Sequence, residues 1–348
     1  MDKFYKILVL VIISLNSSCQ MKKELPEFHV QMCHPENKYR IEPVYDKIKT
    51  LEGVSASFPF GGSSGEWGDS HKSFTEQHGT PIGADITYYA KYEDTFYHLD
   101  VDFPVETMKD LTTRFYAIDE DLNSDEELKE YVHERKTSQI GAYAEFRDLI
   151  FGFAPKGMVV VWLRYGASKK ELGRYQATVV KNDKLLEDKL FSSTITVCRE
   201  QIRFTRLIAD ANPAKWDNYR IKYFWKPSIT SENANFKLFW ILTDYFNAEF
   251  ENAVRPILFH PATRERAVPS MISFFWETGK GQKYEGRAFF DWQKTNEQFK
   301  KDDNGDNQIQ IKVNPNNQDF EVLLNNRPLE TVNKRIFKTD WEFKDSYK

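Results

Sequence analysis

The chain has 348 residues, 41% of them hydrophobic and 15% aromatic, enough apolar material for one large core or two ordinary ones, which excludes a disordered chain. Its 48 basic and 52 acidic residues leave a formal charge of −4 and are mixed along the sequence. No basic stripe points to nucleic acid, and that partner class is set aside.

In chain order, the first feature is a targeting segment. Lys3 and Lys6 precede an apolar run over residues 7–15, long enough for the core of a signal peptide and too short to span a bilayer as a mature helix. Asn16-Ser17-Ser18-Cys19 follows and resembles the lipobox of bacterial lipoproteins, with Asn16 departing from the usual aliphatic residue. The expectation is a signal peptide over 1–18, a lipidated Cys19, and a tether over 19–26; the alternative is plain secretion with Cys19 unmodified. Acyl chains hold such a protein to a membrane because each buried methylene contributes about 0.8 kcal/mol. The basic tether Gln20-Met21-Lys22-Lys23-Glu24 resembles those left at the outer membrane facing the periplasm. Cys33 and Cys198 are the other cysteines, and either a disulfide or two free thiols suits that compartment.

A first lobe is expected over 27–183. Short strands around Tyr39 and Val54–Phe60 lead into a long Gly/Ser-rich loop carrying Trp67, His71 and His78. Unstructured stretches of that length are more often functional than decorative. The central feature is the hairpin and helix over Ala84–Phe115. Turning it at Glu93-Asp94 sets Ala84, Ile86, Tyr88 and Ala90 opposite Phe103, Val101, Leu99 and Tyr97 on an apolar face, with Asp85 opposite Asp102 on the other. Pro104 begins a helix in which Val105, Met108, Leu111 and Phe115 share a side. Ser124 caps a further helix over Asp125-Glu126-Glu127 that continues toward Phe146 and Ile150. From Gly157 a second hairpin pairs Met158–Tyr165 with Arg174–Lys181.

Residues 184–215 are read as a connecting segment and 216–348 as a second lobe that repeats the first. Trp216–Ile221 echoes Asn37–Ile41; the hairpin Met271–Glu277 with Tyr284–Phe290, followed by a helix capped at Asp291, echoes Ala84–Phe115. A last hairpin, Ile309–Val313 with Phe320–Leu324, is matched to the one after Gly157. The expected fold is α+β, two related lobes of antiparallel β-hairpins, each with a helix packed on one face.

Three constellations are weighed. His98, Asp100 and Asp102 recur at every second residue, with Asp85 across from them. Like charges facing one another across a strand pair repel, so the face calls for a Ca²⁺ or Mg²⁺ ion, or more simply for a basic side chain. Gly61-Gly62-Ser63-Ser64-Gly65 fits G-x-S-x-G, but Pro59 interrupts the strand and Gly68 the helix that a catalytic Ser63 requires. The acidic turn Asp302–Asn307 lacks the spacing of a calcium loop.

Gly79-Thr80-Pro81-Ile82-Gly83-Ala84-Asp85, Tyr92-Glu93-Asp94-Thr95-Phe96-Tyr97, Phe103-Pro104 and Val160-Val161-Trp162-Leu163 together resemble a family of Bacteroidota lipoproteins catalogued as a domain of unknown function, family 2931. The resemblance implies lipidation and an envelope location, and transfers no activity. The expected function is a non-catalytic envelope lipoprotein that binds a protein or glycan partner, in one form an inhibitor or immunity protein. The alternative is an envelope hydrolase using Ser63 or a divalent cation at Asp85, Asp100 and Asp102. The ligand-binding candidates are Trp67, His71, His78, Asp85, His98, Asp100 and Asp102, with no catalytic residue and no required cofactor.

Overall fold

A computed structural model describes residues 25–72, 76–118, 128–192, 198–254, 257–279 and 281–340. The signal peptide, Cys19, the basic tether and the helix start at Ser124 to Glu127 lie outside the described residues. Strand accounts for 48% and helix for 18% of the structure, in open sheets; the class is α+β.

In chain order the first part supplies β1 (Glu27–Cys33), β2 (Ile41–Thr50), β3 (Gln77–His78), β4 (Pro81–Ala90), β5 (Thr95–Asp102), helix α1 (Val105–Thr112), β6 (Phe115–Ala117), β7 (Tyr131–Val132), β8 (Tyr143–Glu145), β9 (Asp148–Ala154), β10 (Met158–Tyr165), β11 (Ser168–Gln176) and β12 (Thr178–Val180). Short helices α2 (Lys184–Phe191), α3 (Arg199–Thr205) and α4 (Ala214–Tyr219) follow. The remainder supplies β13 (Lys222–Ser231), β14 (Lys237–Tyr245), β15 (Phe250–Ala253), β16 (Arg264–Ala267), β17 (Pro269–Thr278), β18 (Gln282–Phe289), helix α5 (Trp292–Asp302), β19 (Asn307–Val313), β20 (Phe320–Leu324), β21 (Arg327–Pro328) and β22 (Asn333–Lys338).

Among the described residues the strands form four sheets: β22-β18-β17-β14-β15-β11-β10-β9-β1-β3, β12-β5-β4-β2, β16-β13-β19-β20-β21 and β7-β6-β8. The sheets are mixed rather than wholly antiparallel, because β1 runs parallel to β9 and β13 parallel to β19. Strands β9 and β10 are buried along almost their whole length. Apolar side chains on both faces, including the fully buried Trp162, suit them to interior positions of the long sheet. One core lies between β1, β9, β10 and the sheet of β2, β4 and β5. A second lies between β14, β17, β18 and the sheet of β13, β19 and β20. The long sheet joins the two where Lys169 of β11 pairs with Phe250 of β15.

The hairpin β4–β5 forms with its faces as the alternation requires: Ala84, Ile86, Tyr88, Leu99 and Phe103 are buried together. Its register is two residues shorter than expected, with Asp85 opposite Asp100 and Tyr88 opposite Tyr97. A shift of two preserves both faces and changes every pairing. At the turn end the second face is buried as well, because Tyr89 and Phe96 pack under α2 and α3 with Leu186 and Ile202. Helix α1 starts after Pro104 and buries Met108 and Thr112.

Three expectations are corrected. No helix reaches Phe146 or Ile150; that stretch forms β8 and β9, since an apolar run in the middle of a large sheet satisfies a strand as well as a helix. The second hairpin turns at Gly166-Ala167, pairing β10 with Ser168–Gln176, and Thr178–Val180 crosses to pair with β5 instead. The echo of Asn37–Ile41 in Trp216–Ile221 is one of composition, since Ile41 opens β2 whereas Ile221 leads into β13.

Candidate functional site: a cleft at the strand junction

A lysine stands between two of the three carboxylates of the acidic hairpin face. Lys49 of the neighbouring β2 reaches Asp100 Oδ1 at 2.6 Å and Asp102 Oδ1 at 2.7 Å, and this contact holds the Asp100 carboxyl below its ordinary range. Asp85 faces His98 at 3.8 Å, and His98 Nδ1 lies 3.1 Å from the Thr87 hydroxyl. Among the described residues no group of three His, Cys, Asp or Glu side chains is arranged to hold a metal. His78 sits exposed on β3 opposite Glu27. The candidate residues are therefore spread over separate surfaces.

The loop after β2 is ordered by its own polar groups. Ser63, only 4% exposed, donates its N–H to the Ile41 carbonyl and accepts the Ile41 N–H on its hydroxyl, both at 3.0 Å. Its Oγ lies 2.9 Å from Nδ1 of the buried His34, whose Nε2 lies 3.4 Å from Asn37 Oδ1. Burial holds His34 below its ordinary pKa, so the neutral ring accepts from Ser63 and donates to Asn37. Farther along, the Gly68 N–H donates to the Cys33 sulfur at 3.2 Å. Burial pushes that thiol up to about 12, which keeps it protonated and unreactive. Cys33 and Cys198 are both free. Gly68 has φ +81°, and a Cβ there would meet Ala248 Cβ at 2.5 Å; only glycine lets the loop descend this close to the sheet.

Beneath this descent one row of cross-strand partners crosses the long sheet. Successive pairings run from Asp148 of β9 to Arg164, Lys169, Phe250, Asp244, Met271 and Phe289. Directly paired residues project to the same side, so cationic, acidic and apolar side chains stand in one line across the junction. Trp67 and Asp69 from the loop close it from above. The cleft measures about 690 Å³, within the range that takes small organic ligands.

Its electrostatics follow from shared burial. Arg164 bonds Asp69 Oδ2 at 2.5 Å. Asp69 is held below its ordinary pKa: burial raises it, but the His71 N–H and Arg164 outweigh that. Lys169 donates to the Gly68 carbonyl at 2.8 Å. Burial, reinforced by Arg164, lowers Lys169 to about 8. Burial raises Asp244 to about 6. Two titratable groups pushed from opposite ends toward neutrality mark a site where charge is incompletely solvated. Trp67 forms an edge-on contact with Trp162, centroids 4.9 Å apart, and is partly buried, where the sequence left it without a packing partner. His71 is exposed at the rim, 3.7 Å from Asp69.

Of the sequence candidates Trp67 lines the cleft and His71 stands outside it beside Asp69, while Arg164, Lys169 and Asp244 were not among them. No local pattern distinguishes these three. They come together only through strand pairings between residues far apart in the chain. No curated protein matches this chain. Its membership is shown by a family model that covers most of it: residues 17–237 match Protein of unknown function (DUF2931), and the chain belongs to that family.

Proposed function

We propose that this chain is a lipid-anchored lipoprotein of a bacterial cell envelope, at the outer membrane and facing the periplasm, that binds a protein or glycan partner in the cleft of Trp67, Arg164, Lys169 and Asp244. The observation that carries the binding reading is the cleft's mixed lining. Arg164 and Lys169 offer N–H donors, Asp244 offers a carboxyl that accepts or donates near neutral pH, and Met271 and Phe289 offer apolar surface. Hydroxyl-bearing ligands suit that combination, because each polar group in the cleft then has a partner to replace water. The anchor is supported by Lys3, Lys6, the apolar run and Cys19. The fold is read as two diverged copies of one α+β unit. The supporting pattern is that β3-β1-β9-β10-β11 and β16-β13-β19-β20-β21 have the same relative directions, as have β2-β4-β5-β12 and β14-β17-β18-β22. A helix follows the hairpin in each. The pattern sets Ile309–Val313 against β9 rather than against the strand after Gly157.

The hydrolase reading draws on the Ser63, His34 and Asn37 chain alone; Ser63 already accepts the Ile41 N–H and would need the loop to open. The test has two readouts. Cys19→Ser should abolish acyl labelling and leave the precursor unprocessed, or release the protein to the soluble fraction if another peptidase cuts it; unchanged pelleting with undiminished acyl label rejects the anchor. Soluble envelope glycan fragments and cross-linked envelope proteins are then compared on the intact protein and on Lys169→Met with Asp244→Asn. Binding should fall at least roughly tenfold in the double variant, the loss of about one good polar contact. Binding by neither class, or binding indifferent to the substitutions, rejects the cleft.

A further inference from the structure

The two strand sets differ in how they close one edge. In the first, β3 pairs with only Glu27 and Phe28 of β1, and the loop after β2 covers the rest. The Ser64 N–H donates to the Met32 carbonyl at 3.2 Å, and Ser64 and Cys33 form a parallel bridge. The Ser70 N–H and hydroxyl both donate to Gln31 Oε1, at 3.1 and 3.0 Å. The neighbouring Ser63 grips Ile41 at the start of β2 through both of its polar atoms. One extended Gly/Ser-rich segment thus ties the edges of two strands from different sheets.

In the second set the corresponding edges stand open among the described residues. β16 pairs with β13 only from Lys222 to Trp225, and β15 with β14 only from Ile241 to Asp244. Lys226–Ser231 therefore has its ladder partner, β19, on one side alone. Alternate residues of such a strand direct their N–H and C=O groups outward, where they require partners. Between β13 and the start of β14 lies a groove of about 830 Å³, with Leu258, Phe259 and His260 as its third wall. The connection from β15 to β16, residues 254–263, is ten residues long against the twenty of residues 57–76 in the first set. Lys226, which also faces Asp306 at 3.7 Å, Lys237, which is paired across the ladder with Glu277, and His260 line the groove; no Asp or Glu lines it among the described residues, so the basic groups outnumber the acids on its walls. Phe259 is 51% exposed beside it.

We propose that this groove binds an extended, acidic segment of a partner polypeptide, which adds a strand to β13 and occupies the place that the loop over residues 57–70 holds in the first set. Main-chain hydrogen bonds to Lys226–Ser231, where Pro227 offers only its carbonyl, supply the affinity, while the two lysines and Phe259 select the side chains. The site is independent of the cleft, with which it shares no lining residue.

The probe is a phage-displayed library of random twelve-residue peptides selected on the full-length mature chain. Selected peptides should be rich in Asp and Glu, should slow amide hydrogen exchange over 226–231, and should bind Lys226→Gln with Lys237→Gln roughly tenfold more weakly at an unchanged melting temperature, as loss of two rim charges implies. They should bind the Lys169→Met variant normally, which separates this proposal from the cleft. Selection of no peptide, equal binding to the lysine variant, or protection confined to other segments overturns it. So does protection of 226–231 by envelope oligosaccharides and by no peptide. Should the double variant not fold, the exchange footprint on the native chain decides by itself.

Discussion

Asp244 and Lys169 stand two strands apart in one row of the long sheet, and their displaced pKa values give stability opposite dependences on pH. Asp244 is pushed up to about 6 by burial, above the ordinary value of about 3.9. The folded state therefore binds this proton more tightly than the unfolded chain does. The stability it contributes is complete below pH about 4 and is lost as pH rises through about 6. Asp244→Asn should abolish that dependence. The stability of the native protein relative to the variant should fall by up to about 3 kcal/mol between pH 4 and 7 in urea titrations, and a flat difference would show that Asp244 is not desolvated. Lys169 is depressed, to about 8, so its ionised form opposes folding at neutral pH and stability from its deprotonation grows above that value. Both groups are held where they weaken the fold, as groups retained for binding often are.

At the scale of elements, the hairpin β4–β5 shows how far alternation reaches. The apolar face was legible because side chains alternate strictly along a strand, and the same parity survives any even slip. The register was not, because Glu93-Asp94 proved to lie within a longer turn that begins at Ala90, with Asp94 at φ +46°. The acidic face called for a cation or a basic side chain, and Lys49 stands between Asp100 and Asp102. Since that lysine already supplies the positive charge, millimolar Ca²⁺ or Mg²⁺ should leave the melting temperature of the native protein unchanged. Lys49→Met should lower it, and should make it respond to Ca²⁺. A rise in the native protein that Asp100→Asn abolishes would show that an ion displaces Lys49.

For the whole molecule the critical region is the junction of β11 and β15, where cores formed by different parts of the chain meet. Glu251 is nearly enclosed there, with Lys170 and Arg266 each at 2.8 Å and Arg264 at 3.3 Å. Burial would raise its pKa, but the three cations outweigh burial and hold it well below its ordinary range. Stability from Glu251 is thus present above pH about 4.3 and is lost as pH falls through its depressed folded value. Glu251→Ala leaves three cations without their common partner and should cost about 3–5 kcal/mol. It should also split one calorimetric transition into two, since the pairings from β11 to β15 and this cluster couple the two cores. A single, equally cooperative transition in the variant would show that other contacts carry the coupling.

Local rules were enough for much of this protein. Period-two alternation identified β4 and β5, a continuous apolar run marked β10, paired apolar runs about turns marked β17, β18, β19 and β20, Asp291 correctly announced α5 with its side chain accepting from the Lys294 N–H, and the quoted motifs marked the family. Each of these depends on residues within a few positions of one another. The parallel pairings of β1 with β9 and β13 with β19, the joining of two cores through one ten-stranded sheet, and the line from Asp148 to Phe289 had no such signature. They depend on which strand edges meet after collapse, and pairing partners separated by many tens of residues leave no periodic mark in either segment. Trp67 illustrates the difference. As a letter in a Gly/Ser-rich loop it had nothing to pack against, and only the fold supplied Trp162 beneath it and the cleft beside it.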